Sequence, residues 1–410
     1  MVVPSFQSAV ANLMVNSFPV GQPDKLTYVS RDNVLPPRNW PALLMFVITL
    51  GLTITLIPWY GIVYGYSRAA WLVFAMLLCV TELSITCGYH RLFSHATYQA
   101  HPVLKAFFLL FGAMALQNSA LLWSASHRVH HRFIDEPELD PYCARRGFWF
   151  SHIGWMLRNY PSGEPDLKYV RELQNDPLVA FQHRHYLALA VGMNVGLPLL
   201  LGWAFGNVVG MVLLAGVLRL VFSHHLTFCI NSLAHIVGTR PYTTANTARD
   251  NGLVALLTFG AGYHNFHHRF AHDYRNGVRW WQWDPSKWLI ITLRGAGLAK
   301  NLKRVPWFKI RRALVENQFL RAKQELARQV GSPRLDEMRR RVAEEYESFS
   351  RSVVTWTALR EQSMADVKCA VVNRWEKTNL HSKLKALEDG LREQYRRMQR
   401  IGVQLGSARV

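Results

Sequence analysis

From Asn39 to Ser67 no side chain carries charge, and Arg38 and Arg68 bracket the run. At about 1.5 Å per residue a helix of that length crosses the roughly 30 Å of a bilayer's hydrocarbon core. Inside lipid every backbone N–H and C=O must find its partner within the chain, so the feature confines the fold to helices or a closed barrel. A continuous apolar run without period-two alternation selects helices. Pro58 and Trp59-Tyr60-Gly61 mark the far interface, and Gly61 to Arg68 reads as a short outer loop. A second helix returns from Ala69, apolar to Thr81 with Glu82 its one acid, and ends near Gly88-Tyr89-His90. The pattern repeats further on: Tyr186 to Phe205 is uncharged, and Gly206 to Phe228 carries Arg219 and two histidines. The expected spans are 41–60, 69–89, 186–205 and 206–228.

Between the two pairs lie Arg128, Arg132, Arg145, Arg146, Arg158, Lys168, Arg171 and Arg184, whereas the outer loops are nearly free of Lys and Arg. The excess of positive charge inside places this segment and both termini in the cytoplasm. Two further apolar runs, Leu104 to Trp123 and Leu253 to Gly262, read as helices in the interface or on the inner face. A further crossing would separate the histidine clusters. Met1 to Arg38 lacks the basic start and compact apolar core of a cleavable signal. Beyond Arg294 the chain turns basic and helical, and this tail supplies more than half of the excess behind the net charge of +20. Membrane adjacency assigns that charge to an anionic lipid surface and not to nucleic acid. Amphipathic helices are expected over Leu335 to Arg360 and Leu380 to Leu405, separated at Gly331-Ser332-Pro333 and around Asn373 to Asn379. The five cysteines are odd in number and form no CxxC pair, which excludes a disulfide scaffold and a zinc knuckle. The expected fold is an all-α integral membrane protein: an N-terminal segment 1–40, a four-span domain 41–294 with a histidine-rich cytoplasmic helical cap, and a basic helical tail 295–410.

The chemistry lies in the 17 histidines. Three clusters stand out: His90-Arg-Leu-Phe-Ser-His95, His127-Arg-Val-His130-His131 and His264-Asn-Phe-His267-His268. On a helix, positions i, i+3 and i+4 share a face, so each HxxHH aims three imidazoles at one point. Asn231 and His235 form a fourth, i, i+4 element just past the last span, His235 as ligand and Asn231 holding a bound water or orienting a neighbour. Eight or nine imidazoles exceed what one ion accepts, so two ions are implied. Imidazole suits zinc, copper, nickel and iron alike. Ligands hung at the inner end of an apolar scaffold able to enclose an alkyl chain favour iron, because attack on an unactivated methylene needs an oxidant made from O2. Zinc can replace iron in recombinant material.

These residues resemble the membrane fatty acid desaturases of the Δ9, stearoyl-CoA desaturase-like family, especially its bacterial members, over roughly Pro41 to Arg294. The resemblance rests on the HxxxxH, HxxHH and HxxHH order, with Asn231 and His235 before the third box. It extends to Leu116-Gln-Asn118, Arg145-Arg-Gly-Phe-Trp-Phe-Ser-His-Ile-Gly-Trp155 and Gly262-Tyr. It implies two irons held by His90, His95, His127, His130, His131, His235, His264, His267 and His268, with Asn231 acting through water and no catalytic residue beyond these ligands. The reaction implied is O2-dependent insertion of a cis double bond, at Δ9, into an acyl chain carried as acyl-CoA or in phospholipid. Two electrons then come from a separate donor of cytochrome b5 or ferredoxin type, since the one His-Pro here is His101-Pro-Val and not a His-Pro-Gly-Gly haem motif. Animal acyl-CoA members carry Arg-Asp before the second box where this chain has Ala125-Ser126, which leaves Arg145, Arg146 and Arg158 as headgroup candidates. The implied setting is a bacterial inner membrane, or the endoplasmic reticulum in a eukaryote. The alternatives weighed are a di-iron fatty acyl or alkane hydroxylase, and a metal transporter, whose ligands would lie along a midplane pathway.

Overall fold

Asn39 and Pro41 set the start of the first crossing. The Asn39 side chain accepts from the Ala42 amide and Pro41 fills the first turn, an arrangement that begins helices because the proline has no amide to leave unpaired. The computed structural model describes residues 35–328 and 333–368, with scattered positions between 382 and 400. Nearly all of the expected segment 1–40 and most of the helix expected over Leu380 to Leu405 lie outside the described residues. Residues from Arg38 onward form one unit.

Four helices are long and apolar enough to cross a membrane: span 1 (Trp40–Val63), span 2 (Arg68–Ser94), span 3 (Tyr186–Ala204) and span 4 (Val208–Ile236). Exposed Trp40 and Trp59 stand near the two ends of span 1. Their separation along the helix is about 28 Å, close to the hydrocarbon thickness, as interfacial tryptophans require. Span 1 continues through Pro58 to Val63, so the expected outer loop narrows to a few residues before Ser67, whose side chain caps span 2. Only 6% of span 1's most apolar window is buried against 61% of span 4's, which makes span 1 peripheral and span 4 central. The charges expected inside the spans face inward: Arg219 and Glu82 are both essentially buried. Arg219 donates to the carbonyls of Met114 and Ala215 and to Asn194 of span 3, while Ser223 donates to Glu82 at 2.5 Å. Ionisable groups at such depth are tolerated when satisfied within the bundle.

The region outside the spans is built from short helices: α1 (Pro102–Ala113), α2 (Ala120–Arg132), α3 (Pro177–Arg184), α4 (Gly252–Leu257), α5 (His264–Arg269) and α6 (Pro285–Gly295). The apolar run Leu104 to Trp123 is therefore not one helix. It breaks where Leu116 and Asn118 take positive φ, and Ser119 caps the restart by accepting from Leu122. Gly262, just before the third box, is required by contact: a Cβ there would lie 2.2 Å from the Ala255 amide nitrogen. A two-stranded antiparallel pair, β1 (Gln99–Ala100) with β2 (Ala299–Lys300), joins the exit of the first box to the exit of α6. In the tail, α7 (Trp307–Arg328) and α8 (Pro333–Lys368) pack around Val315, Phe319, Leu326, Val342, Phe349 and Val353. Helix α8 contains the expected Leu335 to Arg360 and extends beyond it at both ends. Asn317 of α7 donates to the carbonyls of Arg240 and Pro241, which seats the tail on the loop between span 4 and α4.

Candidate metal centre

The first box needs a different helix from the other two. Residues five apart do not share a face of an α-helix, yet His90 and His95 both point into one cluster. The chain meets this by winding Ser84–Ser94, the C-terminal end of span 2, as a π-helix with i→i+5 hydrogen bonds, and the His95 amide donates to the His90 carbonyl at 3.2 Å. In that geometry i and i+5 come onto one face, and π segments concentrate at functional sites. The second box lies on α2 and the third on α5, where i, i+3, i+4 spacing does serve. His235 sits on a single turn, Leu233–Ile236, set off from the rest of span 4 by an irregular Ser232. Arg128, between the histidines of the second box, donates to the carbonyls of Phe93, Ser94 and Tyr169, so the second box holds the end of the first.

These elements bring nine histidines into two clusters, each with its ligating atoms within 4.8 Å of one another: His90, His95, His127, His131 and His267, and His130, His235, His264 and His268. The His267 Nε2 lies 2.9 Å from the Nε2 atoms of both His90 and His131, and His95 and His127 face each other at the same distance. In the second cluster the Nε2 separations are 3.1 Å for His235 and His264, 3.0 Å for His264 and His268, and 3.3 Å for His130 and His268. A neutral ring nitrogen carries at most one hydrogen, so a nitrogen facing two others cannot satisfy both. A cation between them does. Nitrogens about 2.1 Å from a common ion and at right angles around it would stand roughly 3 Å apart, as these do. The donor set and spacing thus fit metal ions. Asn231 is half-buried one turn before His235.

Burial also sets the protonation state. His95, His127, His131, His264, His267 and His268 are all pushed well below the ordinary histidine value, first by desolvation and then by the facing imidazoles. Neutral imidazole is the form that ligates metal. Below about pH 6.5 the unfolded chain takes up protons that these buried rings refuse, so stability falls as pH drops and is fully present above that value. Each such histidine contributes a slope of about 1.4 kcal/mol per pH unit in this window. Metal-free protein in detergent should therefore lose thermal stability as pH falls from about 6.5 to about 5; a flat melting temperature across that range would contradict the burial.

Of the three arginines expected near a headgroup, Arg145 reaches to 4.0 Å from Asp135 beside the second cluster, with its side chain mostly exposed. Arg146 stacks on Phe150 and Tyr160, and Arg158 pairs by backbone with Arg38 at the mouth of span 1. The residues behind the histidines were not foreseen. Trp123 stacks on His127 and donates to Gln117, which donates to Thr227 of span 4. Tyr142, Asp140 and Thr247 contact His127, His130 and His235 from outside. The one available signal was the acidic stretch directly after the second box.

A family model described as fatty acid desaturase matches residues 67–290. The chain is 41% identical over 289 residues to acyl-CoA desaturase 1 of Saccharomyces cerevisiae, covering 68% of this chain and 54% of that protein. It is 33% identical over 270 residues to the sn-1 stearoyl-lipid 9-desaturase of Anabaena variabilis (65% and 95%), and 39% over 239 residues to stearoyl-CoA desaturase 5 of Bos taurus (57% and 70%). The match spans about half the length of the Saccharomyces cerevisiae and Schizosaccharomyces pombe relatives. Such a spread of sources does not single out bacterial members.

Proposed function

Because the chain belongs to the fatty acid desaturase family, we propose that it is an O2-dependent fatty acyl desaturase. It would convert two adjacent methylenes of a saturated chain into a cis double bond, at Δ9. The observation that carries this reading is the pair of buried imidazole clusters gathered where spans 2 and 4 end. The overall balance is one acyl chain, one O2, two electrons and two protons giving the alkene and two waters. The nine clustered histidines would hold two iron ions, with Asn231 acting through water. When bound, the irons supply the oxidant, derived from O2, that an unactivated methylene demands.

The chain's own part is to hold the rings, keep them neutral and exclude water. Residues 41–294 are the catalytic domain in this reading and 295–410 a tail, with the histidine clusters and both termini on the cytoplasmic side. Arg145, Arg146 and Arg158 are proposed to meet the anionic headgroup of acyl-CoA or phospholipid, and the names of the relatives support either carrier. Electrons are proposed to come from a cytochrome b5 or ferredoxin type of donor. The basic run from Lys300 to Arg312 suits an acidic partner.

The test is gas chromatography of fatty acids from cells that express the chain or its His131→Ala variant, given oxygen and a C16 or C18 saturated acid. A cis-monoene made only by the unaltered chain is the expected result, and its bond position reports the regiochemistry. A hydroxy acid carrying 18O from labelled O2 would replace desaturation by hydroxylation.

A further inference from the structure

A ligating imidazole uses one ring nitrogen, and the partner of the other sets the ring's orientation and basicity. In the four-histidine cluster the Nε2 atoms converge, which leaves Nδ1 facing outward. The His130 Nδ1 donates to Asp140 Oδ1 at 2.8 Å. The His235 Nδ1 donates to Thr247 Oγ1 at 2.9 Å, and that hydroxyl donates in turn to Asp135 Oδ1 at 2.5 Å. The Thr247 amide donates to the other oxygen of Asp135 at 2.7 Å. The two acids are themselves joined, since the Asp135 amide donates to Asp140 Oδ2 at 3.0 Å. Asp140 is 1% exposed and Asp135 4%. Asp135 also holds φ at +69°, a conformation disfavoured for a residue with a side chain and kept where surrounding contacts over-determine it.

The five-histidine cluster is served differently. Among the described residues no carboxylate lies within hydrogen-bond reach of its rings, and the outer contact of His127 is the neutral Tyr142 hydroxyl at 3.3 Å. Two ligands that reach the four-histidine cluster from different parts of the chain, His130 on α2 and His235 at the end of span 4, are thus backed by acids of a single loop.

We propose that Asp135 and Asp140 form one outer clamp that positions and charges the four-histidine site alone, so that the two metal positions are unequal. A carboxylate behind an imidazole raises its basicity and fixes which nitrogen carries the hydrogen. Asp140 does this directly for His130, and Asp135 does it for His235 through Thr247. The five-histidine site takes no such charge. This inference rests on the two-iron reading above.

The test loads the full chain, in detergent, with 57Fe(II) and follows iron retention against a chelator together with the Mössbauer spectrum. Asp140→Asn keeps the shape of the side chain and removes its charge. It should weaken one of the two irons by about 10- to 100-fold, changing one of two subspectra and leaving the other as it was. Thr247→Val, which cuts the link to Asp135, should act on the same subspectrum, and Thr247→Ser should restore it. The second pair guards against a variant that fails for want of folding. Retention of both irons at unaltered strength in Asp140→Asn and Thr247→Val, or parallel loss of both irons, would overturn the clamp. An unaltered chain that binds fewer than two irons would overturn the two-iron reading and the clamp with it, and that failure is distinguishable because it occurs without any substitution.

Discussion

A His267→Ala chain is expected to make no unsaturated acyl product above background and to lose metal from the five-histidine cluster. His267 is where the boxes meet, with its Nε2 2.9 Å from His90 of the first box and from His131 of the second. Alanine removes a donor atom itself. Altering a residue merely behind a ligand already costs about 10- to 100-fold in affinity or activity, so loss of the donor should exceed about 100-fold. The check is product per cell by gas chromatography alongside iron per protein on the purified chain. His185→Ala serves as the control, because that ring packs on Phe181 and belongs to neither cluster. Undiminished product in His267→Ala would remove the histidines from the chemistry.

Asp284→Ala is expected to be the most destabilising single change outside the clusters. Asp284 is fully buried and accepts from the Arg91 guanidinium and the Lys287 amide on one oxygen, and from the Asn276 and Gly277 amides on the other. Removing the carboxylate leaves Arg91, itself 1% exposed on its side chain, as an unpaired buried charge, along with three buried amides. Breaking such a pair costs about 3–5 kcal/mol. For a domain of this size that is a fall in melting temperature of roughly 6–20 °C. Thermal denaturation in detergent measures it, and a shift within about 1 °C would show that the pair does not stabilise the fold. Arg91 follows His90 in the sequence, so the same lesion should loosen the first box.

What could be read beforehand follows from the range of each interaction. Spans 1 to 4 were legible because lipid imposes a local rule on consecutive residues; their ends moved where helix outruns the apolar stretch, span 1 continuing through Pro58 to Val63, span 2 to Ser94 and span 4 to Ile236. The HxxHH boxes were legible because α-helical periodicity alone aligns His127 with His130 and His131. The HxxxxH box resisted the same arithmetic, since its alignment depends on π-winding that no local pattern announces. The division of the nine rings into a set of five and a set of four was not legible either. His130 and His131 are adjacent in sequence yet fall in different clusters. The backing of His235 was beyond reach for a plainer reason: Thr247 and Asp135 stand 112 residues apart.

The distance between the first and last boxes also has a bearing on synthesis. His90 and His267 are 177 residues apart. At about 5–20 residues per second, roughly 10 to 35 seconds of elongation separate them. Through that interval the first box is already made and the bundle is threading into the membrane, while the residue that joins the three boxes has not been polymerised. In the two-iron reading, filling of the five-histidine cluster must wait until the third box has been made, and a nascent chain stalled before that box has no five-histidine cluster to fill.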